Sequence, residues 1–70
     1  MMAIYRGTII ESMHGGCLWR VDLPDAPQHL RTLWLRALDF DTRPRIGMIV
    51  TVYYVTGPSL GLYRAKEFTS

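Results

Sequence analysis

The run Gly47-Met48-Ile49-Val50-Thr51-Val52-Tyr53-Tyr54-Val55 is dense in β-branched and aromatic residues and is cut off by Thr56-Gly57-Pro58. Such side chains fit a pleated, half-buried surface, and Pro ends a ladder because it brings no N–H. The segment predicts a strand. Four further stretches carry the same signal: Ala3–Ser12, Cys17–Leu23, Leu30–Phe40 and Gly61–Phe68. Five strands separated by turn residues, in 70 residues, predict an all-β chain closed into a small five-stranded barrel.

That length holds one domain, residues 1–70, with a thin core. Hydrophobic residues make up 49% of the chain, a composition that points to a folded chain and away from disorder. No apolar run reaches the roughly 18 residues of a membrane span. The start, Met1-Met2-Ala3-Ile4-Tyr5, runs into a strand pattern without the basic and apolar regions of a secretory signal, so the expected compartment is the cytoplasm and no membrane partner is expected. Cys17 is the one cysteine, so no internal disulfide can staple the fold, and it reads as a small buried hydrophobe. The net charge is +2, and seven of the eight cations are Arg. Arg meets phosphate bidentately and stacks on bases, although the same preference also follows from a biased base composition of the gene.

Along the chain, Gly7 interrupts β-branched residues and predicts curvature in the first strand. His14-Gly15-Gly16 predicts the first hairpin turn, and Leu23-Pro24-Asp25-Ala26-Pro27 a loop that cannot continue a ladder, with the third strand starting near His29. Residues 30–40 fit two periods. Leu30, Leu33, Trp34, Ala37 and Leu38 would line one helix face, whereas Leu33, Leu35 and Ala37 would line one strand face. The favoured reading is a strand through about Arg36, then a short helical turn or loop through Arg45. The last two or three residues read as loose.

Three blocks carry a family resemblance: Gly7-Thr8-Ile9-Ile10-Glu11-Ser12, Trp19-Arg20-Val21-Asp22-Leu23 and Gly47-Met48-Ile49-Val50-Thr51-Val52. In order and near-spacing the chain resembles an OB-fold of the initiation-factor-one type, the small bacterial RNA-binding barrel that occupies a ribosomal site during translation initiation. The resemblance implies an OB barrel and a nucleic-acid surface. The sequence departs from that family where Asp39 and Asp41 sit beside Arg43 and Arg45 in the connector, and where Met48-Ile49 opens the fourth strand.

If Val21 and Leu23 point inward on the second strand, Trp19 does too, and Leu18, Arg20 and Asp22 point out; if Leu33 and Leu35 point inward on the third, Thr32, Trp34 and Arg36 point out. Pairing of these strands would gather Arg20, Trp34 and Arg36 on one outer face, where OB-folds stack bases on aromatic rings and meet phosphates with Arg. Arg6 and Thr8 could extend the patch, and Arg43 and Arg45 either join it or form a solvated rim with Arg31. Trp34 also reads as an anchor in a protein interface or a cap on a barrel end, and Trp19 as a core aromatic. Single-stranded nucleic acid, RNA before DNA, bound without sequence specificity, is the first expectation.

The alternative is a protein-interaction or self-associating module. Its sign is outward apolar residues: Ile10, Leu18, Trp34, Ile49 or Met48, and Leu60 or Leu62. No enzyme activity, metal or cofactor is expected, because His14 and Cys17 lack a third orienting group, Asp39 and Asp41 lack the rest of a calcium loop, and Gly57-Pro58-Ser59-Leu60-Gly61 has no following Lys. The last stretch should close the barrel with Tyr63 and Ala65 inward and Leu62, Arg64 and Lys66 outward.

Overall fold

The computed structural model describes residues 3–56 and 61–68. The connection 57–60 and the end that reads as loose, Thr69-Ser70, lie outside the described residues. Five strands form one antiparallel sheet: β1 (Ile4–Met13), β2 (Leu18–Asp22), β3 (Thr32–Arg36), β4 (Ile49–Thr56) and β5 (Gly61–Glu67), in the order β3-β2-β1-β4-β5. The central strand β1 pairs β4 through Ile4–Thr8 and β2 through Thr8–Met13. No helix among the described residues is long and apolar enough to cross a membrane.

Strand period decides the core. Ile9, Val21, Leu35, Val50, Val52 and Ala65 are buried on one face, with Trp19, Leu33 and Tyr63 packed against them. Leu62 and Lys66 are exposed and Arg64 half-buried on the other face of β5, as alternation requires. Truncating Ile9, which has no exposure, to Ala should cost about 2–5 kcal/mol through lost transfer energy and a residual cavity. Chemical denaturation should show that loss with an unchanged slope.

Several boundaries move from the sequence reading, each for a local reason. The third strand starts at Thr32 instead of Leu30 because Pro27 starts a 3-10 turn over Gln28–Leu30, in which the Leu30 N–H donates to the Pro27 carbonyl at 2.8 Å. After Arg36 the chain enters a second 3-10 turn, Ala37–Asp39, so residues 30–40 are strand followed by a helical turn and not one helix. His14-Gly15-Gly16 forms the first turn with all three residues at positive φ, from 56° to 93°. Cys17, expected to be buried, is exposed, because it lies in that turn before the inward alternation of β2 begins.

The bulge in β1 falls between Ile9 and Glu11, where the register with β2 shifts and Ile10 is the extra residue. Gly7, three residues earlier, has a different use. A Cβ there would meet the Leu23 side chain, the Asp22 carbonyl oxygen at 2.5 Å and Val21 at 3.0 Å, so the missing side chain lets the end of β2 lie against β1.

β3 and β5 are the two edges of the sheet, and no ladder joins them into the closed barrel that the alternation predicts. The five-residue β3 is stopped at Arg36, whose backbone N–H donates to Asp39 Oδ2 at 2.9 Å. The segment that follows is tied to β5 instead. Phe40 and Ala65 make an isolated parallel bridge, and the Asp41 N–H donates to the Ala65 carbonyl at 2.9 Å. Arg64 donates to the Leu38 carbonyl at 3.0 Å and to Asp41 Oδ1 at 3.1 Å, while the Tyr53 hydroxyl donates to Asp41 Oδ2 at 3.0 Å.

The Arg64 hydrogen bond holds the Asp41 carboxyl below its ordinary value, against partial desolvation and with help from Tyr53 and the charges of Arg64 and Lys66. Desolvation, then the hydrogen bond and negative charge of Asp41, push the Tyr53 hydroxyl up. A carboxyl lowered in the folded state contributes stability that is complete above the unfolded value and is lost as pH falls through the folded one. Asp41→Asn should therefore lower Tm by a few degrees at neutral pH and by nothing in strong acid. Thermal melts of both chains from pH 7 to pH 2 should converge. Curves that stay offset by the same amount down to pH 2 would show that the loss does not come from the ionised carboxylate.

Candidate nucleic-acid interface

Antiparallel pairing of β2 with β3 sets Arg20 opposite Trp34, Leu18 opposite Arg36 and Asp22 opposite Thr32, while Trp19 opposite Leu35 and Val21 opposite Leu33 form the rows of the inner face. After the bulge, β1 adds Glu11 opposite Arg20 and Met13 opposite Leu18. The outer face thus carries the row Glu11-Arg20-Trp34 beside the row Met13-Leu18-Arg36. The three side chains singled out from alternation share one surface.

Trp34 is 38% exposed, and the Arg20 guanidinium carbon lies 5.9 Å from its ring centroid, within cation–π reach. Arg20 Nη2 is 3.0 Å from Glu11 Oε1, and among the described residues its buried Nε has no hydrogen-bond partner. Arg36 reaches Asp39 with Nη2 at 3.2 Å and Nε at 3.4 Å, and Asp39 is the buried acidic residue that ends the strand. Both Arg charges are thus matched by a carboxylate. Trp19 is a half-buried core aromatic whose indole N–H donates to the Gly16 carbonyl at 2.8 Å.

Trp34 and Arg36 also line an open cleft of about 630 Å³ between the two sheet edges, with Leu33 and Leu35 on one side and Tyr54, Leu62 and Tyr63 on the other. The rings of Tyr54 and Tyr63 meet edge to face with centroids 5.0 Å apart. The cleft was not legible in the sequence, because it exists only where β3 and β5 fail to pair.

The other three candidate cations sit elsewhere. Arg6 is on the β4-paired half of β1, stacked 3.9 Å from the Phe68 ring centroid. Arg43 is exposed in the connector and lines a hollow of about 440 Å³ with Ser12, Gly16, Trp19 and Pro44. Arg45 is 3.6 Å from Glu67. Of the open alternatives for outward apolar residues, Ile49 is exposed and Met48 buried, Leu62 is exposed, and Leu60 lies outside the described residues. Among the described residues no three His, Cys, Asp or Glu side chains group as metal ligands.

Lys66 is exposed on the outer face of β5, as alternation predicts, and it belongs to none of the surfaces the sequence singles out. Its neighbours become visible only with the pairing of β5 to β4 and β4 to β1, which sets Arg6 opposite Thr51 and Thr51 opposite Lys66. Comparison with family models, curated proteins and solved structures finds no match to this chain.

Proposed function

We propose that this domain is an OB-type module, an incompletely closed barrel that binds single-stranded nucleic acid, RNA in particular, weakly and without sequence specificity. The observation that carries the reading is the Arg20–Trp34 pair, 5.9 Å apart and directly opposite across two strands on an open face, with Arg36 two residues along. An exposed indole offers a stacking platform to any base, and Arg edges not used by Glu11 and Asp39 can meet phosphate. Support for the barrel reading is the strand order β3-β2-β1-β4-β5 together with the parallel Phe40–Ala65 bridge across the unpaired edges. Neutralisation of Arg20 and Arg36 by carboxylates lowers the electrostatic gain without abolishing it, so affinity should combine the ring stack with a modest, salt-dependent phosphate contribution.

Fluorescence of a Trp19→Phe chain, in which Trp34 is the only indole, tests this on titration with a single-stranded oligoribonucleotide at low salt. Quenching is expected, with log K falling against log salt by about 0.7 per neutralised phosphate. Trp34→Ala should weaken binding by the roughly 1–3 kcal/mol of a base stack, about 5-fold to 150-fold. No quenching at high micromolar oligonucleotide, or affinity indifferent to salt, would contradict the proposal.

A second reading, a protein-interaction surface, is favoured by one observation: Ile10, Met13, Trp34 and Leu38 are all exposed on or beside the same charge-balanced face. An apparent mass from light scattering that rises with concentration, in a chain that ignores oligonucleotide, would select it in its self-associating form.

A further inference from the structure

We infer that the outer side of β1, β4 and β5 carries a second phosphate contact, the row Arg6-Thr51-Lys66, which takes the backbone of a single strand that extends beyond the Trp34 stack. The inference rests on the nucleic-acid reading of the Arg20–Trp34 face and adds a site to it. Arg6 is opposite Thr51 on β4, and Thr51 is opposite Lys66 on β5, so the three form one line across three strands. Adjacent strands are about 4.8 Å apart, which separates the two cations by roughly 10 Å at the backbone.

Both cations are exposed, and among the described residues neither has a carboxylate within salt-bridge distance. Arg20, Arg36, Arg45 and Arg64 are each matched to an acid; Arg31 and Arg43 are unmatched like Arg6 and Lys66, but lie in connections between strands and not on a paired row. Of the acids near the row, Asp41 is held by Arg64 and Tyr53 and Glu67 by Arg45, while Asp22, opposite Thr8, has no ion-pair partner among the described residues and bounds the row on the β2 side. Phe68 underlies the Arg6 guanidinium at 3.9 Å, which orients that planar group while leaving its donor edge open. Thr51, half-buried between the cations, supplies a hydroxyl to the same row. Two unmatched cations, one of them an Arg held flat on a ring, and a hydroxyl fit a phosphodiester backbone by charge and by donor type. Thr8, facing Ile49 on one side and Asp22 on the other, joins this surface to the β2 side of the sheet.

Oligouridylates of four and sixteen nucleotides, titrated into the full chain at several salt concentrations, test the row. The four-mer should engage the Trp34 face alone, and the sixteen-mer should show a steeper salt slope. In an R6Q/K66Q chain the sixteen-mer slope should fall by about 1.4, twice the 0.7 per phosphate of a single strand, while four-mer binding is unchanged. The single K66Q chain should lose about half of that, and an R6K/K66R chain, which keeps both charges, should retain the full slope. Equal sixteen-mer slopes in the original and R6Q/K66Q chains, with Trp34-dependent four-mer binding intact, would overturn the row and leave the stacking face standing. Absence of Trp34-dependent binding at either length would overturn both.

Discussion

Gly7→Ala should destabilise the domain by about 3 kcal/mol, the upper end for forcing extra volume into a packed interior. In a chain of this size that corresponds to a fall in Tm of roughly 12–24 °C, at about 4–8 °C for each kcal/mol. The added Cβ would press on the Asp22 carbonyl oxygen and on Val21 as well as on the Leu23 side chain. A flexible side-chain tip could swing aside, but the Asp22 oxygen belongs to the backbone of β2 and can move only if the strand does. Val21 and Leu23, both buried, would have to shift with it. Thermal melting followed by circular dichroism measures the effect, and a change of only two or three degrees would show that the close approach at Gly7 is not rigid.

Truncation after Gly57 should give a chain with no cooperative transition. It removes β5 and with it Ala65, which is fully buried opposite Val52, and Tyr63, which packs on the same core. It also removes the Ala65 carbonyl and Arg64 side chain that secure the segment after β3. β4 would become a bare edge with a half-exposed core beneath it, and no disulfide compensates, so aggregation is the expected fate of the product. A sharp thermal transition retained by the truncated chain would mean that β5 is an accessory to the fold and not part of its core.

Side-chain period explains what could be read from the sequence. Alternation of Val50, Thr51 and Val52, and of Trp19, Arg20 and Val21, assigns faces without knowledge of partners, so five strands and the shared surface of Arg20, Trp34 and Arg36 were legible. So was the helical turn after Arg36, because Asp39 and Pro44 break the strand period. Ends of elements were less so, since the turn at Gln28–Leu30 depends on Pro27 setting the backbone while Leu30 still looks apolar enough for a strand. Partners over long sequence separations were not legible at all. Nothing in the spacing of Glu11 and Arg20, Arg45 and Glu67, or Asp41 and Arg64 tells which acid takes which Arg. The gap between β3 and β5 was hidden for the same reason, because a strand count says nothing about whether the two outermost strands meet.

In the proposed function a single strand lies on the outer face of β2 and β3. Amide and indole chemical shifts of the isotope-labelled chain, followed while a short oligouridylate is added at low salt, test that placement directly. The largest changes are expected at the Trp34 indole and at the amides of Arg20, Trp34 and Arg36, with the buried row of Val21 and Leu35 little moved and all shifts reverting as salt is raised. A spectrum that does not respond, or one that responds at other surfaces while Trp34 stays still, would contradict it.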